Sequence, residues 1–221
     1  MPLELVASNT VIVAHQFNPS VMSQLWLVRN GLLGEDDFLS GCVFTDVIAQ
    51  VHSREFQLVV VPPQCQFVPT VEVGREQDLV VAKVGSLVRS LPHTPYRGIG
   101  LNFIWHLAPE DGDVSGTSRA LFFRDGGPLH QEFADDNSRF GAYMSKDALG
   151  ARLKLDAKPI IVDQHQDSER ELIQFSFNYH RDITGDEDAV ECIEQMLHHW
   201  NEARDESSRI VHAAMSEELT S

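Results

Sequence analysis

Val80-Val81-Ala82-Lys83-Val84-Gly85-Ser86-Leu87-Val88-Arg89-Ser90-Leu91 is the stretch that decides how this chain is read. Val80, Val84, Leu87, Val88 and Leu91 fall at i, i+4, i+7, i+8 and i+11, the apolar stripe of an amphipathic helix. Ala189, Ile193, Met196, Leu197 and Trp200 repeat that spacing far downstream. Each stripe follows a block of short β-rich runs, so the chain reads as two copies of one α+β unit.

Outward from the first stripe, the preceding runs fall into place. Thr10 to Phe17 alternates and is rich in β-branched residues, as a strand requires. Asn18-Pro19-Ser20 signals a turn and a helix start, and Val21, Leu25, Val28 and Leu32 follow at helical spacing. Cys42 to Val51, Glu55 to Val61 and Gln64 to Val68 read as three strands, the last two divided by Pro62-Pro63. The helix then runs from about Arg75 to Leu91, and Pro92 ends it.

A second round begins at Tyr96. Tyr96 to Leu107 reads as a strand whose Gly98 and Gly100 mark a bulge or a close backbone approach. A loop follows from Ala108 to Gly116, then a short helix from Ser118 to Phe123. Phe140 to Met144, Leu153 to Val162 and Leu172 to His180 are the next strands. Thr184-Gly185-Asp186-Glu187 fits a capping box, and the last helix extends past Trp200 through Ala203, Ile210, Val211 and Ala214, with a break expected, if anywhere, near Asp205 to Ser208.

Each half therefore reads β-α-β-β-β-α, with residues 1–93 as the first half and 94–221 as the second. Such units place helices on one side of an antiparallel sheet, and the element order resembles that of the TATA-binding-protein-like folds. A likeness of element order transfers no function.

Composition narrows the function classes. The chain has 221 residues, with 17 basic against 33 acidic side chains and a net charge of -16. A phosphate backbone is repelled by most of such a surface, which argues against direct nucleic-acid binding. Its apolar runs stop well short of the roughly 18 residues of a membrane span. Met1-Pro2-Leu3-Glu4 has neither the basic start nor the apolar core of a secretory signal. Cys42, Cys65 and Cys192 are odd in number and in no metal spacing, which points to reduced thiols and a cytoplasmic address.

Two further segments carry a family likeness. Leu91-Pro92-His93-Thr94-Pro95 leads into Gly98-Ile99-Gly100-Leu101-Asn102-Phe103, and Trp200, Ala203-Arg204 and Ile210-Val211-His212 precede Ser216-Glu217-Glu218-Leu219. In these the chain resembles an uncharacterised, sporadically distributed bacterial protein family. The resemblance implies a bacterial or phage source; that family has no established activity, cofactor or catalytic residues to carry over.

Motifs for chemistry are thin. There is no GxSxG elbow, no P-loop and no third glycine to complete a dinucleotide fingerprint. Asp163, His165 and Asp167 alternate on one face if extended and could ligate a divalent metal, the basis for an alternative reading as a metal-assisted hydrolase. Asn102 and His106 share a strand face with Gly98 and Gly100. The ordinary use of such a face is glycine-relieved packing with a hydrogen-bonded histidine, and the alternative is a shallow groove with Asn102 and His106 as polar handles. Trp200 is a candidate interface anchor, although core packing is the ordinary use of a helix tryptophan. Gly85 is expected to let its helix approach the sheet.

The favoured reading is a non-enzymatic binding or assembly protein without a cofactor. It acts through protein–protein contacts, with a homodimer formed by the sheet edge or the last helix as the first expectation. An acidic decoy for a basic, nucleic-acid-binding partner is the other alternative.

Overall fold

In a computed structural model the chain is described over residues 2–216, apart from 111, 125, 136, 137, 164–168 and 186. In order, the elements are β1 (Leu3–Ala14), α1 (Gln24–Arg29), β2 (Val43–Phe44), β3 (Ala49–His52), β4 (Phe56–Val61), β5 (Gln64–Pro69) and α2 (Glu76–Ser90). There follow β6 (Tyr96–Leu107), α3 (Val114–Phe122), α4 (Pro128–Gln131), β7 (Ala142–Ala148), β8 (Ala151–Asp163), β9 (Glu169–Asp182), α5 (Ala189–His198) and α6 (Trp200–Ser216). The fold is α+β.

Among the described residues, nine strands join one antiparallel sheet in the order β2-β3-β4-β5-β1-β6-β9-β8-β7. The long pair β1·β6 lies at its centre, with Asn9 opposite Asn102 and Thr10 opposite Leu101. A single apolar cluster runs under strands of both halves. Alternation builds it: Ile12, Phe67, Leu58, Val51, Ile99, Leu101, Phe103, Phe175, Phe177 and Tyr179 all point to one face and are buried.

Helices cover that face. Val80, Val84, Leu87 and Val88 of α2 and Ile193, Met196 and Leu197 of α5 are buried as the two stripes require. Trp200 packs edge-on against Phe103 of β6, and Phe122 of α3 sits over Phe175 of β9. Fully burying side chains of this size contributes about 1.5–3 kcal/mol each. Gly85 faces α5 and not the sheet. A methyl there would stand 3.3 Å from Glu194 Oε1, and Arg89 of α2 pairs with that carboxylate.

Several boundaries differ from the sequence reading, each for a local reason. β1 starts at Leu3, since Leu3, Leu5 and the residues beyond Ala7 pair with β6 through a register shift between Leu5 and Ala7. The run Cys42 to Val51 is two strands, because Thr45 closes a turn through its amide and hydroxyl onto Ile48 O. α1 is shorter than the apolar spacing suggests: Ser23 caps it, and the preceding Pro19–Val21 forms its own 3-10 turn. α3 opens earlier, at Val114, under an Asp113 cap.

At the end of the chain, Glu187 does reach back to the Thr184 amide at 3.0 Å. The helix begins only at Ala189, however, capped by Asp188, whose carboxylate accepts from Val190 and Glu191. The helix then breaks at His199, which separates α5 from α6, and not near Asp205 to Ser208.

Candidate binding surfaces

The side chains that alternate with the core residues form the opposite, open face of the sheet. On β1 these are Asn9, Val11 and Val13, all partly exposed. Register places Val11 beside Gln66 and Gly100, and Val13 beside Gln64 and Gly98. Further out lie Gln57 and Val59 on β4 and Gln50 and His52 on β3. The far side carries Gln174, Ser176, Asn178 and His180 on β9, then Arg152, Lys154, Asp156 and Lys158 on β8.

Asn102 stands at the middle of this face. Its Nδ2 donates to Asn9 Oδ1 at 2.9 Å, and its Oδ1 accepts from Asn178 Nδ2 at 2.7 Å. Three strands are thus stitched by a ladder of amides. His106 lies further along the same face, with Nε2 3.2 Å from Gln174 Oε1. The glycines beside them are not a bare groove. A Cβ on Gly98 would sit 3.1 Å from His180 Cε1, and one on Gly100 would sit 3.0 Å from Asn178 Nδ2. The glycines therefore make room for Asn178 and His180 to lie across β6, and His180 Nε2 is in turn 3.1 Å from Asp182.

Trp200 is fully buried, so the structure places it in the core and not on a surface. Asp163 closes β8, while His165 and Asp167 lie outside the described residues. Among the described residues no group of three or more His, Cys, Asp or Glu side chains converges as a metal site.

One feature escaped the sequence reading. Glu76, in the first turn of α2, is only 4% exposed. Its carboxylate accepts from Ser8 Oγ at 2.8 Å and Trp200 Nε1 at 3.1 Å, and Arg204 lies 3.7 Å away. A buried charge needs such partners. They come from β1 and α6, and only the fold brings those segments together.

A second surface lies at the β7 end. β7 is an edge strand, and Tyr143 and Met144 on it are 67% and 49% exposed. It joins β8 through Leu149 and Gly150, both at positive φ, 54° and 68°, the geometry of a tight hairpin turn. On the helix side, Met144, Leu153 and Leu155 with Ile210 of α6 line an apolar trough of about 250 Å³. Beside it an open cleft of about 800 Å³ runs between the hairpin and the acids of α6. Glu206 lines that cleft, accepting from Lys146 Nζ at 2.6 Å and from Tyr179 Oη at 3.3 Å. Burial and that carboxylate together push the Tyr179 phenol well above its ordinary range.

Charge is unevenly distributed over these surfaces. Acids crowd α5 and α6: Glu191, Glu194, Glu202, Asp205 and Glu206. On the open face and β7, Asp147 pairs with Arg152 at 3.0 Å and Asp156 with Lys158 at 2.7 Å. Among the described residues, no helix is long and apolar enough to cross a membrane. No protein-family profile matches the chain, and no curated protein does either.

Proposed function

We propose that the protein is a non-enzymatic binding and assembly protein, cytoplasmic and of bacterial or phage origin, that acts through protein–protein contacts made by its sheet. The observation that carries this reading is the distribution of charge. A chain of net charge -16 repels copies of itself and other acidic surfaces. Its sheet surface, by contrast, offers amides, valines and locally paired ions. Self-association is the simplest use of such a surface, since homo-oligomers dominate soluble assemblies. Light scattering over a range of concentrations tests this: a mass rising from one protomer toward two is expected. A constant protomer mass at high concentration, with no partner recovered, would contradict it.

Within the same reading the two halves are copies of one unit. What supports this is the order of strands outward from the central pair: β1-β5-β4-β3 on one side and β6-β9-β8-β7 on the other. The helices that follow β5 and β9, α2 and α5, also meet each other through Arg89 and Glu194. This is the element order on which the likeness to TATA-binding-protein-like folds rests. It bears on architecture and leaves the partner to be found by experiment.

A further inference from the structure

We infer that β7 is the contact itself: two copies of this chain pair β7 against β7 in antiparallel fashion, about a two-fold axis through Ser145, to give one continuous sheet. The inference rests on the assembly reading above and names its surface and its occupant.

An open edge strand presents unpaired amides and carbonyls that only another strand satisfies fully. The two edges of this sheet are not alike. β2 has two residues and offers little to pair with, whereas β7 has seven, paired to β8 without interruption from Ala142 to Ala148. β7 contains no proline and no bulge. The lysine that would normally guard such an edge, Lys146, is turned onto Glu206.

Charge selects the occupant. β7 carries one lysine and one aspartate, so the edge itself adds no net charge to the contact between two acidic chains. Its apolar side chains, Tyr143 and Met144, are among the more exposed of the large hydrophobic residues. The uncovered trough beside Met144 lies directly behind the strand, where apolar surface from a second copy would be buried.

Symmetry and length then select the register. A two-fold axis normal to the sheet keeps both helix layers on one side, so facing residues must be of the same parity. Centring on Ser145 pairs all seven residues. It sets Tyr143 opposite Asp147 of the second copy, where a phenol can donate to a carboxylate, and Met144 opposite Lys146. Centring on Lys146 would instead put two ammonium groups face to face, which is disfavoured.

The test uses the full chain. Ser145→Cys in a Cys42→Ser background is expected to form a disulfide-linked dimer on mild oxidation, because facing Cα atoms of an antiparallel pair lie about 4.5–5.5 Å apart, within the span of a disulfide. Lys154→Cys, one strand further in, is expected to give none. Tyr143→Glu on this exposed position is expected to weaken dimerisation about tenfold or more by facing Asp147 of the other copy. Adding Asp147→Asn is expected to restore much of it. A dimer indifferent to Tyr143→Glu and not cross-linked at Ser145 overturns the edge assignment and leaves assembly intact. A monomer at every concentration overturns both.

Discussion

Trp200 Nε1 donates to Glu76 Oε2 at 3.1 Å, joining residues 124 apart in sequence and fastening the start of α6 to the start of α2. Ser8 donates to the other oxygen of the same carboxylate at 2.8 Å. One buried acid therefore ties the central strand β1 to both α2 and α6. Glu76→Ala strands an indole N–H, a hydroxyl and the Arg204 guanidinium, with an expected loss of about 3–5 kcal/mol. Glu76→Gln keeps acceptor capacity and is expected to lose less. Urea titration of the two variants against the parent checks the order.

Gly150 has φ +68° and nothing within 4 Å of where a Cβ would be. The space is free, so the cost of a side chain there is purely conformational. Gly150→Ala is expected to destabilise by about 1 kcal/mol. An alanine without effect on the melting temperature would mean that the hairpin turn has another geometry.

Glu187 is held at a pKa of about 2, first by the Thr184 amide, then by Arg181 and the Thr184 hydroxyl. A carboxyl with a depressed folded-state pKa stabilises fully above its ordinary value, 4.5. That contribution is lost as pH falls toward 2. Glu187→Gln is therefore expected to be less stable than the parent near neutrality, with the gap closing through this window. Urea midpoints of both proteins as a function of pH measure the gap; one that is constant down to pH 2 contradicts the assignment.

Burial pushes the Cys65 thiol up to about 12, and burial together with the Glu187 carboxylate raises that of Cys192. Cys42 alone of the three is partly exposed. Thiolate is the reactive form, so a maleimide or disulfide reagent at mildly basic pH is expected to modify Cys42 first. The other two should react only on unfolding. Rapid labelling of Cys65 in the native protein would show that β5 opens.

The helices were legible because their signal is local. Four of the five stripe residues, Val80, Val84, Leu87 and Val88, lie within α2 and are buried, and Leu91 caps it half-buried. The β6 strand was equally plain, as its alternation runs unbroken from Ile99 to Phe103. Breaks were harder where the stripe itself does not change: Ala203 and Val211 continue the apolar face of α5, and nothing in residue type marks His199 as a stop. The run from Cys42 to Val51 stays β-branched across a turn set by the Thr45 hydroxyl. Sheet order was beyond reach for a more basic reason. Hydrophobic periodicity shows which face of a strand is buried but not which strand lies beside it. The Asn9–Asn102–Asn178 ladder and the exposed edge of β7 both depend on that order. Asn102 stands out in the sequence by its glycine neighbours, while its two partners carry no signal of their own.

The salt dependence of self-association tests the central claim most directly. If two acidic chains meet through a neutral sheet edge, salt screens the repulsion between their helices and leaves the contact untouched. Sedimentation equilibrium at low and moderate ionic strength is then expected to show a protomer–dimer equilibrium that tightens as salt rises. A mass that stays at one protomer under all conditions, or a dimer that salt dissociates, would contradict the account.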